Sequence, residues 1–138
     1  MTKTAKGALA CAKLDQRALE KGAVTSIPVV ESRYDRIVDW DGRLYRVQVK
    51  YTDCGAPNSA NAVQVNLRST GHGGVSRNGY RLHEVDAIVV IVVYVAQVDA
   101  LCWFGRETFE GRTALTVRLA PPLNGQQKGI RYYEDYRW

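Results

Sequence analysis

The feature that most constrains this chain is an apolar run from Ala87 to Ala96, broken only by the polar-tipped Tyr94. It is too short to cross a bilayer as a helix, which takes about 20 residues. Val and Ile dominate it, and branching at Cβ favours extended backbone. With no polar alternation along the run, the strand it predicts is buried on both faces. Such a strand belongs inside a central sheet with layers packed above and below it.

The rest of the chain supplies those layers. Thr4 is a candidate N-cap for a helix running to about Lys21, with Gly22 as its stop. Leu9, Ala12, Leu14, Ala18 and Leu19 form its expected apolar side, with Cys11 nearby. Strands are predicted over 23–30, 34–40, 43–51, 62–68, 87–95, 101–104 and 114–119, and loops over 53–60 and 69–80. Pro121-Pro122 breaks the pattern. One helix followed mainly by strands predicts an α+β fold with a mixed central β-sheet. At 138 residues, 1–138 is expected to form a single domain.

Composition narrows the partners. Net charge is +5 and the pI about 9.2, which suits a polyanionic partner without specifying one. Cys11, Cys54 and Cys102 are odd in number and form no CxxC pair, against a disulfide framework or a zinc site. No signal-type apolar segment follows Met1–Gly7, so the expected location is cytoplasmic, with no membrane partner.

The chemistry concentrates around a predicted hairpin. Tyr34-Asp35 opens one strand, and Gln48-Val49-Lys50 lies on the next, with the strong turn signal Asp41-Gly42 between them. Gln48 and Lys50 share a strand face, and Val47 and Val49 take the other. Folding the hairpin can bring Asp35 close to Gln48 and Lys50. An acid, an amide oxygen and an ammonium around one point suit Mg²⁺-assisted hydrolysis of a phosphodiester.

These pieces, in order, resemble the PD-(D/E)XK nucleases, and within them the group I intron-associated homing endonucleases. The likeness runs through Lys6-Gly7, Gly22, Pro28, Tyr34-Asp35, Val47-Gln48-Val49-Lys50, a Gly-rich loop ending in Tyr80, Glu84-Val85-Asp86-Ala87, the stretch 119–131 and Asp135-Tyr136. It implies a restriction-endonuclease-like core with helices flanking the central sheet. It implies a metal-dependent, site-specific double-strand DNA endonuclease acting as a homodimer or homotetramer. Asp35 would be the metal-binding acid, helped by Gln48 and the Val49 carbonyl, and Lys50 the catalytic lysine. Mg²⁺ would be the cofactor, with Mn²⁺ as a substitute. Most of the superfamily carries Asp or Glu where Gln48 stands. The subgroup carries Glu on the first helix where Cys11 stands, and a thiolate is a poor ligand for Mg²⁺. Asp15 and Glu31 are the acids that could substitute. If neither does, the alternative is a catalytically disabled DNA-binding protein on the same fold. A junction-cleaving nuclease of the superfamily is a third reading.

Candidate DNA contacts are Arg68, His72, Arg77 and Arg81 around the Gly-rich loop, and Gln126, Gln127, Lys128 and Arg131 near the C-terminus. Glycines let backbone amides approach phosphates, while Gln and Arg suit adenine and guanine edges. The plainer readings are a loop histidine and solvated cations. For Tyr132, Tyr133, Tyr136 and Trp138, packing against the core or a neighbouring subunit is favoured over base stacking.

Overall fold

Helix α1 spans Lys3–Glu20 in the computed structural model, which describes residues 1–57, 60–67, 70–71, 74–75, 90–121 and 130–138. Its N-cap is Thr2, not the expected Thr4. Thr2 has the extended backbone a cap requires, and its Oγ1 accepts from the Ala5 N–H at 3.1 Å. At the other end Gly22 adopts φ +75°. The Ala23 N–H reaches the Ala18 carbonyl at 2.8 Å, and the Gly22 N–H reaches Leu19 at 3.1 Å. This is a Schellman termination. The buried stripe is Ala10, Leu14 and Ala18, whereas Leu19 is 74 % exposed and Ala12 is also exposed. Ala10 and Ala18, small residues about two turns apart on either side of Leu14, let α1 lie close against the sheet.

The strands are β1 (Val24–Ser26), β2 (Arg36–Trp40), β3 (Arg43–Thr52), β4 (Ala62–Asn66), β5 (Thr70–Gly71), β6 (Gly74–Val75), β7 (Val90–Val95), β8 (Ala100–Gly105) and β9 (Ala114–Arg118). A short helix α2 (Arg106–Phe109) follows β8. Five strands form the central sheet in the order β1-β2-β3-β7-β8, with β3 and β7 parallel and the other pairs antiparallel. Asp41 and Gly42 both have positive φ, so β2 and β3 join in the tight hairpin that the Asp-Gly pair predicted. Strand β1 is shorter than the predicted 23–30. Pro28 has no N–H to donate, and Ile27, Val29 and Val30 are exposed beyond the ladder.

Every residue of β7 is buried. Val90, Val92 and Tyr94 pack with Val38, Val47 and the α1 stripe. Ile91, Val93 and Val95 pack with Val63, Val65, Leu115 and Val117 of the β4–β9 ribbon, and with Phe104 and Phe109. The strand covered on both faces is thus observed over Val90–Val95, while 87–89 lie outside the described residues. One covering layer is α1; on the opposite face, among the described residues, it is the β4–β9 ribbon with α2. The C-terminal aromatics pack inward, as favoured: Tyr136 lies 4.8 Å from Phe104, and Trp138, 6 % exposed, joins Trp40 and Trp103. No helix among the described residues is long and apolar enough to cross a membrane.

Candidate active site

Strand β3 outruns its partner. Arg36, the first residue of β2, pairs with Val47, so Val49 and later residues of β3 have no β2 residue opposite them. The backbone groups of Val47 and Val49 point toward the β2 side, because alternate residues of a strand address the same neighbour. Asp35 fills the gap. Its N–H donates to the Val47 carbonyl at 2.8 Å, although Val47 already pairs with Arg36, so the chain takes a bulge-like step here. That step turns the carboxylate across the open ladder, where Oδ2 accepts from the Val49 N–H at 2.8 Å. By the same alternation the Val49 carbonyl addresses this edge too.

Gln48 and Lys50 lie on the other face of β3 from Val49, opposite Ile91 and Val93 of β7. Those neighbours are fully buried and apolar. Burial therefore pushes the Lys50 ammonium below the ordinary lysine pKa, and the negative charge of Asp35 pulls it partly back. The structure brings Asp35, Val49 and Lys50 to one end of the β2–β3 hairpin, with Gln48 beside them.

Helix α1 closes the other side. Cys11 is half-buried. Burial foremost pushes its thiol above the usual pKa; Arg36 opposes this, and Asp35 and Asp15 add to it. A thiol held protonated is a still poorer ligand for a hard cation. Asp15 is committed elsewhere: the Arg36 guanidinium grips both its oxygens, Nε to Oδ1 at 2.9 Å and Nη2 to Oδ2 at 3.0 Å. It is not the spare metal ligand that its place one turn beyond Cys11 offered. Glu31 is exposed in the segment before Asp35. Among the described residues, no three His, Cys, Asp or Glu side chains gather as a metal site.

The model of the PD-(D/E)XK endonuclease family matches residues 1–138. The chain belongs to that family. It is therefore a nuclease. Among solved structures, a bacterial homing endonuclease, I-Ssp6803I, aligns with a TM-score of 0.72 over 99 % of this chain and 89 % of its own. Identity is 23 %, so this likeness is one of fold. No curated protein matches the chain significantly.

PD-(D/E)XK nucleases generally use divalent metals, and the donors here can be tested against that need. Asp35, Gln48 and the Val49 carbonyl offer only oxygen, which suits a hard cation. One carboxylate is sparse. Mg²⁺, however, is commonly held by one or two carboxylates together with substrate phosphates and water. The set fits a hard divalent ion shared with a phosphate.

Of the predicted DNA contacts, Arg68, His72, Arg77, Arg81, Gln126, Gln127 and Lys128 lie outside the described residues. Arg131 is half-buried beside β9, its carbonyl accepting from the Arg118 N–H at 2.6 Å. The residue that sequence reasoning missed is Arg36. Strand alternation puts it on the α1 side with Val38, where a charge needs a partner, and α1 carries only two acids, Asp15 and Glu20. That signal was present.

Proposed function

We propose that this chain is a metal-dependent, site-specific double-strand DNA endonuclease of homing type, with 1–138 as one catalytic domain. The observation that carries the reading is the Asp35 carboxylate fixed on the Val49 N–H at the open end of the hairpin, with the desolvated Lys50 beside it.

Asp35, Gln48 and the Val49 carbonyl hold the metal, Mg²⁺ or Mn²⁺ as its substitute. When bound, that ion supplies Lewis acidity toward a phosphoryl oxygen. The Val49 N–H fixes the Asp35 carboxylate before substrate arrives, so little reorganisation is needed. Lys50 orients the attacking water, accepts its proton in the neutral amine form and, as the ammonium that results, balances charge that develops on the phosphate. Burial lowers its pKa from the ordinary lysine value, which favours the neutral amine that such a transfer needs. The basic residues of 68–81 and 126–131 contact the duplex.

Cleaving both strands takes two active sites, which favours a homodimer or homotetramer. A group I intron context and a cytoplasmic location complete the reading. The sparse anionic set favours one rival, a DNA-binding protein that has lost its chemistry.

Metal uptake decides between them. Mg²⁺ or Mn²⁺ is titrated calorimetrically into the protein bound to duplex DNA, with Asp35→Ala alongside. Uptake by the parent and none by the variant supports the endonuclease and justifies a search for the cut site in a randomised plasmid library, with chelator as control. Salt-sensitive DNA binding with no metal uptake moves the assignment to the disabled protein.

A further inference from the structure

Arg36 uses all three of its guanidinium nitrogens. Nε and Nη2 bond the two oxygens of Asp15 at 2.9 and 3.0 Å, and Nη1 bonds the Asp35 carbonyl at 2.8 Å. Its side chain is only 12 % exposed and that of Asp15 32 %. A charge so removed from water is costly unless paired, and the planar fork of arginine meets both carboxylate oxygens at once. The bond to Asp35 is the one that concerns the site. Asp35 is thereby held at its N–H by Val47, at its carbonyl by Arg36 and at its carboxylate by Val49.

We propose that Arg36 is a positioning residue, which braces the Asp35 peptide against Asp15 of helix α1 and so fixes the direction of the Asp35 carboxylate. This rests on the metal-holding role of Asp35 given above. Without the brace, the Asp35 carbonyl loses its anchor to helix α1, and only the bonds to Val47 and Val49 are left to aim the carboxylate. Partners that orient a metal ligand from behind typically change metal affinity about 10- to 100-fold when altered. Lysine at this position would keep the charge, but one ammonium cannot span both Asp15 oxygens and the Asp35 carbonyl.

The test is Mn²⁺ binding, followed by the electron paramagnetic resonance of the free ion. Mn²⁺ is titrated into the protein bound to a duplex oligonucleotide, with the duplex alone as blank. Parent, Asp35→Ala, Arg36→Lys and Asp15→Asn are compared. Each is also measured for metal-free duplex affinity and, by circular dichroism, for folding. The expected result is uptake by the parent, none by Asp35→Ala, and a Kd raised about 10- to 100-fold in both Arg36→Lys and Asp15→Asn, with metal-free duplex affinity within about twofold of the parent. Asp15→Asn nearly preserves shape and leaves the strands untouched, so it decides the matter should Arg36→Lys fail to fold. If folded Asp15→Asn binds Mn²⁺ as tightly as the parent while Asp35→Ala does not, the brace is refuted and the metal reading stands. If Asp35→Ala binds like the parent, or the parent binds none, the metal reading fails and the brace with it.

Discussion

Lys50 separates a residue kept for chemistry from one kept for stability. Lys50→Met keeps a similar unbranched volume and removes the charge. In the folded protein Lys50 stands opposite the buried Val93 of β7, and Asp35 only partly offsets its desolvation, so the folded pKa is depressed. Below that folded pKa the lysine is charged in both states, and the native state bears the full desolvation cost. As pH rises through the depressed folded value toward the unfolded 10.5, the native state sheds its proton first and the cost disappears. Lys50→Met should therefore melt at or above the parent temperature near pH 7, with any advantage shrinking as pH approaches 10.5. Activity should move the other way. A unit charge about 4 Å from developing phosphate charge is worth about 4 kcal/mol at an effective dielectric of about 20. That is about 10³-fold in rate. The assay is single-turnover cleavage of a mapped target, with melting curves collected from pH 7 to 10. Cleavage within about tenfold of the parent, or a melting temperature that falls together with activity, would refute the reasoning, since ordinary packing would then explain the lysine.

Cys11→Glu adds a second carboxylate beside Asp35 and should tighten Mn²⁺ binding by about tenfold or more, since affinity for hard cations follows ligand charge. Unchanged affinity in a Mn²⁺ titration would mean that the new carboxylate turns to Arg36 instead. The Cys102 thiol is fully buried, and burial pushes its pKa up to about 12, whereas Cys54 is exposed. Iodoacetamide at pH 8 should label Cys54 and spare Cys102 until denaturant is added; peptide masses showing prompt Cys102 labelling would contradict its packing between the central sheet and the β4–β9 ribbon. Phe104→Ala should cost about 3–5 kcal/mol in urea unfolding, because Phe104 is fully buried between the sheet, Tyr136 and the ribbon. A loss below about 1 kcal/mol would mean that this core collapses around the gap.

What could be read ahead was local or periodic. The Val/Ile run placed β7 in the interior, Asp-Gly fixed the β2–β3 hairpin, and the period of two put Gln48 and Lys50 on one face. Each signal lies within about ten residues, where backbone geometry leaves few choices. The failures arose where distant segments decide. Alternation along 34–40 could not show that the ladder stops at Arg36 and bends at Asp35, because the Asp35–Val49 bond depends on the hairpin closing. Residues 62–68 read as a strand, but its partner Ala114–Arg118 lies some fifty residues on, so the ribbon that covers β7 was invisible as a pair. On α1, pattern alone made Leu19 a core residue, although it lies about 100° around the helix from the buried Ala10–Leu14–Ala18 stripe and is exposed. Asp15 read as a spare acid because its partner comes from a strand, twenty-one residues later.

The charges around the hairpin end give the proposed chemistry an order of events. The Asp15–Arg36 pair is internally balanced, Cys11 is held toward its neutral form, and Lys50 is a cation beside Asp35. A divalent ion approaching the protein alone therefore meets one carboxylate and an opposing ammonium, which is a weak site. A duplex laid across the same edge brings phosphate oxygens, which draw the ion in and also give Lys50 a counter-charge. Metal and DNA should therefore bind with positive coupling. By linkage the factor by which DNA tightens metal must equal the factor by which metal tightens DNA. A second protein carboxylate would weaken that coupling, because the ion would no longer need the phosphate. Gln48 and Cys11, which make the site look impoverished when read singly, thus act in one direction. Under the proposed function they would leave the protein without a firmly held metal until a phosphate backbone is in place.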